Sequence, residues 1–256
     1  MITLSSDFGW PYPAAMRGVL LTHAPDTTIV DITHGFPRGE VRTAGFWLRE
    51  VLPYFPPAVH LAVIDPGVGT DRAVLVIEAG EHKLIGPDNG VLQPAATALS
   101  SDWTAYELVD HEAASNTFHG RDVFAPLAAQ VHQHGIAQLR DANMIQPAER
   151  IESMTFPEAD VSDEQANGEI LVVDGFGNAI TNIPGDFLTE SLGTHVEING
   201  QSVMAASSYA HVERGDPLVT VGSHGNVEVA VNGGRGDGWF GLYPGTTVRI
   251  NRYVSG

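Results

Sequence analysis

The segment Asp65-Pro-Gly-Val-Gly-Thr-Asp-Arg72 holds the residue types best suited to polar chemistry in this chain. It follows the apolar run Val59 to Ile64 and precedes another, Ala73 to Val76. A carboxylate therefore stands at the end of a buried strand, a glycine-rich turn offers backbone N–H groups, and a guanidinium returns toward the acid. Strand, acid and tight turn recur at Ile2 to Gly9, around Asp7 and Phe8, and at Ile170 to Gly177, around Asp174. Ligands of open α/β sheets bind beyond the carboxyl ends of the strands. Three aspartates at three such ends predict a ligand that carries hydroxyls or positive charge.

Thr117-Phe-His-Gly-Arg-Asp122 sets His119 just before a helix start. The positive end of the helix dipole favours the neutral imidazole, which can accept a proton from water. His119 is thus a candidate general base, with loop packing as the equally weighted alternative. Asp122 reads as a helix cap, and Pro87-Asp-Asn-Gly90 as a structural turn. Phe176-Gly-Asn-Ala-Ile-Thr-Asn182 contains two amides, Asn178 and Asn182. An amide both donates and accepts, which suits the edge of a purine, although a plain β-turn explains the segment too. Ser223-His-Gly-Asn-Val-Glu228 offers a hydroxyl and a carboxylate near a strand start, for the polar end of an amino acid or for loop backbone. His132 and His134 answer to a helix C-terminus, because i and i+2 do not share a face for a metal. No His-Glu-x-x-His, Walker A or Gly-x-Ser-x-Gly pattern occurs, and no Gly-x-Gly-x-x-Gly follows the first strand.

These residues need elements to hold them. Ile2–Leu4, Thr28–Ile32, Val59–Ile64 and Ala73–Ile77 read as strands, with helices at Ala14–His23 and Gly39–Leu52 between them. A third helix begins at Asp122, carries the stripe Val123, Leu127 and Val131, and closes at Gly135. The alternation predicts an α/β N-terminal domain over 1–155, a mostly parallel sheet with flanking helices. Polar, turn-rich residues at 156–167 read as a linker. From 168 to 256 only short strands follow: Glu169–Val173, Thr194–Ile198, Leu218–Val221, Val227–Val231 and Thr247–Ile250. Asn199-Gly200 marks a hairpin. This second domain reads as a small antiparallel sandwich or barrel.

The chain has 256 residues and no cysteine, so disulfides, thiolate metal sites and cysteine nucleophiles are excluded and a cytoplasmic setting is expected. Its longest apolar runs are too short to span a bilayer, and its N-terminus lacks the basic region of a secretion signal. With 31 acidic against 13 basic residues the net charge is -18, which repels nucleic acid and anionic membranes and attracts cationic small molecules. Lys83 is the single lysine. Acidic excess with so little lysine points to a salt-rich cytoplasm, where self-repulsion is screened.

Taken together, Ser-Asp-Phe-Gly at 6–9, Asp-Pro-Gly-Val-Gly-Thr-Asp-Arg at 65–72, Pro-Asp-Asn-Gly at 87–90, Thr-Phe-His-Gly-Arg-Asp at 117–122, Asp-Gly-Phe-Gly-Asn-Ala-Ile-Thr-Asn at 174–182 and Ser-His-Gly-Asn-Val-Glu at 223–228 resemble one family over nearly the whole chain. The chain is similar to the S-adenosyl-L-methionine (SAM) hydroxide adenosyltransferases, or SAM hydrolases, water-using relatives of the SAM-dependent fluorinase and chlorinase. The resemblance implies an α/β domain followed by a β-barrel, a homotrimer with sites at subunit interfaces, and conversion of SAM and water to adenosine and methionine without a cofactor or metal. It also raises the damaged sulfonium epimer of SAM as substrate. The family's catalytic set matches Asp65, Arg72 and His119 here. The resemblance then implies Asp7 at the ribose hydroxyls, Asn178 at the adenine or the methionine end, Phe176 and Tyr209 as stacking or apolar walls, Ser223 and Glu228 at the amino-acid part, and Phe8 and Asp174 as further substrate-binding residues.

Asp65 stands where the halide-using relatives place a tyrosine, and Gly120 where the fluorinase has a halide-contacting serine. A carboxylate beside the pocket repels an anionic nucleophile, which favours water. One segment departs from the family: Trp10-Pro-Tyr-Pro-Ala-Ala-Met16 is about two residues shorter and lacks an acid, which leaves recognition of the methionine ammonium open. Three other readings stay open. They are a SAM-dependent halogenase using chloride, a non-catalytic adenosine-binding protein, and a metal-dependent hydrolase built on Asp7, Asp65, Asp88 and His119.

Overall fold

The computed structural model describes residues 1–109 and 117–253. Contacts divide the chain into two units, Met1–Thr155 and Phe156–Gly256. The first contains β1 (Ile2–Ser6), α1 (Tyr12–His23), β2 (Ile29–Thr33), α2 (Val41–Val51), β3 (Val59–Val63), β4 (Val74–Ala79), β5 (His82–Pro87), α3 (Gln93–Leu99), β6 (Trp103–Leu108), α4 (Ala125–Asp141) and β7 (Ile145–Pro147). The seven strands form one sheet in the order β2-β1-β3-β5-β4-β6-β7.

Side-chain alternation assigns the two faces of this sheet. On one face Ile2, Leu4, Leu61, Val63, Val74 and Val76 meet Met16 and Leu20 of α1 and Leu127 and Val131 of α4. On the other, Ala62, Leu75 and Ile77 meet Ala44 and Leu48 of α2 and Ala95 and Ala96 of α3. β1 is buried along its whole length, as a central strand covered on both faces must be. Each fully buried aliphatic side chain contributes about 1.5–3 kcal/mol of burial energy, so this strand cannot move without large loss.

The expected α/β layering is present, with one difference. β1 pairs in parallel with β2 and β3, and β3 with β5, but β4 runs antiparallel to both β5 and β6, and β6 to β7. The sheet is therefore mixed rather than mostly parallel. Only Gly80 and Glu81 separate β4 from β5, and a turn that short permits a hairpin but no crossover.

The third helix also differs from expectation. It opens with a π-helical turn, Gly120–Phe124, with His119 rather than Asp122 in the capping position and no side-chain cap. Asp122 instead accepts two hydrogen bonds from Arg121. Pro126 lacks an N–H and would crowd the carbonyl four residues back, and the wider turn relieves both problems. Gly135 (φ 73°) kinks the helix, which then continues to Asp141.

The second unit contains β8 (Asp160–Val161), β9 (Gln165–Val173), β10 (Ala179–Pro184), β11 (His195–Ile198), β12 (Gln201–Ala205), β13 (Pro217–Val221), β14 (Asn226–Val231), the short α5 (Gly236–Phe240) and β15 (Thr247–Arg252). Seven strands in the order β9-β10-β14-β13-β12-β11-β15 return to β9 and close a barrel, with β8 paired outside β9. Residues 156–167 belong to this unit and include β8 and the start of β9. Ile170, Ile183, Val196, Ile198, Val229 and Ile250 fill the interior. Asn199 (φ 48°) and Gly200 (φ 86°) form the turn between β11 and β12, and two successive positive φ values are what the tight hairpin turn requires.

Candidate active site

In the first unit the ends of β1 and β3 and the start of the π-helical turn converge on a cavity of about 940 Å³. Asp7, Phe8, Asp65 and His119 line it, together with Phe118 and Arg38. Asp65 emerges two residues after β3. The turn at Gly67 to Thr70, with Gly69 at φ 82°, brings the chain back so that Arg72 faces Asp65. Arg72 Nε donates to Asp65 Oδ1 at 3.0 Å, and Nη2 donates to Oδ2. The two side chains are only 9% and 6% exposed, so this is a buried, two-pronged ion pair. Phe124, from the π-helical turn, lies under the guanidinium 4.9 Å from its centre.

Arg72 Nη2 also sits 3.0 Å from His119 Nδ1. A guanidinium has only donors, so His119 Nδ1 accepts, and a neutral His119 carries its own proton on Nε2. Arg72 Nη1 is buried and has no hydrogen-bond partner among the described residues. The cluster therefore keeps a cationic NH₂ group, with two N–H donors, in reserve and contains no serine, cysteine or lysine. Asn89 supports it from behind. Its Nδ2 donates to the carbonyl of Ile64, the residue before Asp65, at 2.8 Å.

Asp7 Oδ2 accepts the backbone N–H of Gly39 at 2.7 Å. Gly39 takes a left-handed φ of 74° that suits a residue without a side chain. Oδ1 of Asp7 has no protein donor among the described residues. Phe8, Tyr12 and Phe118 contact one another edge to face, with ring centres 5.6–6.3 Å apart, and form one apolar wall.

The barrel carries a second cavity, of about 910 Å³, lined by Asp174, Phe176, Asn178, Tyr209, Ser223 and Glu228 among others. Asp174 Oδ1 accepts the N–H groups of Phe176 and Asn178, and Oδ2 accepts the Asn178 side chain, all at 2.9 Å. Its carboxylate thus holds the turn in shape. Phe176 at the tip is 80% exposed. Asn178 Nδ2 reaches Tyr209 Oη at 3.3 Å, and Tyr209 O–H donates to Glu228. Burial, followed by the hydrogen bond to Glu228, pushes the Tyr209 phenol above its ordinary range, so it remains a donor. Glu228 is buried between Tyr209 and His224, whose Nε2 lies 3.5 Å from its second oxygen. It orients Tyr209 rather than presenting a bare carboxylate. Asn182, the second amide of its segment, is used internally: Oδ1 accepts Glu169 N–H and Nδ2 donates to the Pro157 carbonyl.

The sequence-predicted residues thus fall into two groups. Asp7, Phe8, Asp65, Arg72 and His119 meet in the first unit, and Asp174, Phe176, Asn178, Tyr209, Ser223 and Glu228 share the cavity of the second. Sequence reasoning passed over Phe118 and Arg38. The signal for Phe118 was its place beside His119; nothing local distinguished Arg38. Among the described residues no three His, Asp or Glu side chains converge to hold a metal ion, and no helix is long and apolar enough to cross a membrane.

A strand-end Asp–Arg–His cluster beside a cavity, in a chain that carries an α/β domain and a β-barrel, marks the protein as an enzyme. The chain belongs to the SAM hydroxide adenosyltransferase family: residues 2–140 match the family's N-terminal domain and residues 168–249 its C-terminal domain. It is 39% identical to the (R)-S-adenosyl-L-methionine hydrolase of Salinispora tropica over 97% of both chains. A fluorinase from Actinopolyspora mzabensis is a more distant relative, 25% identical over 93% of this chain and 92% of its own. The crystal structure of an uncharacterized conserved protein from Thermotoga maritima has the same fold, with a TM-score of 0.84 and 31% identity over 98% of this chain and all of that one.

Proposed function

We propose that this enzyme hydrolyses S-adenosyl-L-methionine, with the (R)-sulfonium epimer preferred, to adenosine and L-methionine. The observation that carries the reading is that Arg72 bridges Asp65 and His119, two residues that line the cavity. The name of the Salinispora relative supports the substrate and the epimer.

The sulfonium charge makes methionine a neutral leaving group, so the enzyme's task is to hold water in line with the 5′ carbon. Positioning of this kind is worth up to about 7–11 kcal/mol. Arg72 Nη1, which has no hydrogen-bond partner among the described residues, takes an oxygen lone pair of the water and favours hydroxide by charge. His119 accepts the departing proton, for a base contribution of about 10²–10⁴-fold. Since Nδ1 already accepts from Arg72, proton uptake there requires His119 to exchange that contact for the water, and the freed Nη2–H then turns to the hydroxide. Asp65 holds the guanidinium in place and keeps the cluster from binding a stray anion. Asp7 Oδ1 receives the ribose hydroxyls, and Phe8 and Phe118 cover the sugar's apolar edge. On the barrel, Phe176, Asn178 and Tyr209 receive the adenosyl and methionine parts, and Ser223 the amino-acid end. The family resemblance supports a homotrimer, and the charge balance supports a salt-rich cytoplasm.

The test is incubation with racemic SAM in H₂¹⁸O with high KCl and EDTA, followed by chromatography and mass analysis. Equimolar adenosine and methionine are expected, with ¹⁸O in the adenosine 5′-hydroxyl, one epimer consumed first, and turnover lost in Asp65→Asn and His119→Ala. Chloroadenosine would replace this reading with a halogenase, and bound adenosine without turnover would replace it with a binding protein.

A further inference from the structure

His34 follows β2 and is 7% exposed, yet it lines neither cavity. Its side chain reaches Ser6, the last residue of β1, with Nδ1 at 2.8 Å from Oγ. Its backbone carbonyl accepts the N–H of Gly9 at 3.1 Å. One residue therefore grips the chain on both sides of Asp7 and Phe8. The loop that leaves His34 supplies the Gly39 N–H that binds Asp7 Oδ2.

The other side of the ring is anchored as well. His34 Nε2 lies 3.3 Å from Asp31 Oδ1. The contact is electrostatic and does not count as a hydrogen bond: both atoms are buried with no hydrogen-bond partner among the described residues. The second oxygen of Asp31 accepts from Arg17 of α1. Trp10 packs edge-on against the His34 ring, centres 5.3 Å apart. A carboxylate only accepts, so Nε2 faces Asp31 as an N–H, and Ser6 Oγ, which both donates and accepts, satisfies Nδ1. Ser6 is fully buried and so cannot attack a substrate, although Ser, His and Asp stand in line.

We propose that His34 is a positioning residue for Asp7, fixing the carboxylate through Ser6 Oγ and Gly9 N–H while Asp31 and Arg17 hold its ring. The proposal rests on the reading above that Asp7 binds the ribose hydroxyls. Its signature is specific: loss of His34 should weaken recognition of those hydroxyls and leave recognition of the base intact.

The experiment is calorimetric titration of the purified full chain with adenosine and with 2′,3′-dideoxyadenosine, for wild type, Asp7→Asn, His34→Leu, His34→Asn and Ser6→Ala. Wild type is expected to prefer adenosine at least tenfold, and Asp7→Asn to remove most of that preference. His34→Leu and Ser6→Ala should each cut it three- to tenfold while dideoxyadenosine affinity stays within twofold. His34→Asn, which keeps an acceptor near Nδ1, should restore most of it. If His34→Leu fails to fold, Ser6→Ala decides, because it leaves the ring in place. An unchanged preference in both overturns the inference, as does an equal loss of affinity for the two nucleosides, the mark of a merely structural role. An unchanged preference in Asp7→Asn overturns the assignment of Asp7 and the inference with it.

Discussion

Replacing Arg72 by methionine keeps most of its aliphatic volume and removes the guanidinium that lies over Phe124. Asp65, with a side chain only 6% exposed, then holds a buried charge with no cation beside it. Breaking a buried pair from one side costs about 3–5 kcal/mol, most of it the penalty of the stranded charge. Adding Asp65→Asn removes that charge. The double variant should therefore recover about 2 kcal/mol relative to the sum of the single effects, within the range of coupling seen for contacting residues. Urea unfolding would measure it. Because the chain has two units, a global signal need not be two-state. Of its four tryptophans, Trp10, Trp47 and Trp103 lie in the first unit and Trp239 in the second. Tryptophan fluorescence in a Trp239→Phe background therefore reports the first unit alone. The same variants report catalysis. Arg72→Met and the double variant should both lose SAM hydrolysis, so that stability returns in the double while activity does not. A cost below about 1 kcal/mol for Arg72→Met would refute the buried-pair argument, and a double variant that regains turnover would refute the role of Arg72 at the nucleophile.

Two further outcomes are expected. His60, bonded to Thr3 Oγ1 at 2.8 Å and to His82 Nδ1 at 2.9 Å, has its pKa lowered to about 3 by burial and then by His82. The unfolded chain protonates His60 below about pH 6.5 while the folded chain does not, so stability is full above that value. It should fall by about 1.4 kcal/mol per pH unit as pH drops toward 3. His60→Gln should flatten the pH dependence of urea unfolding by about that slope between pH 6 and 4.5; an unchanged slope would rule out a neutral buried histidine. Asn89→Ala frees the Ile64 carbonyl and the Val91 N–H. It should lower kcat for SAM hydrolysis about tenfold through a displaced Asp65, with KM little changed. Equal kcat in the variant would show that β3 holds Asp65 unaided.

Much of this protein was legible before folding, and the legible parts have a common cause. The turn after Asp65, the hairpin at Asn199-Gly200 and the helix ahead of His23 are local demands on φ, ψ and side-chain periodicity, met by neighbours a few residues apart. The family motifs also lie in short continuous segments, so Asp65, Arg72 and His119 could be picked out as a set. The same locality explains the misreadings. Asp122 has the chemistry of a cap, but Pro126 four residues later forces a wider turn that moves the helix start to His119. Gly135 has the chemistry of a stop, yet the stretch beyond it, with Ile136 and Leu139, is buried against the sheet and carries the helix past the kink.

Other features exist only in three dimensions. The closure of the barrel through the pairing of β15 with β9, and the commitment of Asn182 and Glu228 to internal partners, depend on residues far apart in the chain. So does the proton on His119: Arg72, 47 residues away in sequence, occupies Nδ1 and leaves the proton on Nε2. His34 is the plainest case. By itself it is a histidine after a strand, and only the parallel pairing of β1 with β2 sets it beside Ser6. Residue type and short-range spacing determine which groups are available for chemistry. Long-range packing, paid for by burying the sheet and barrel cores, determines which of those groups are left with an unused donor or acceptor, and that remainder is what a substrate can meet.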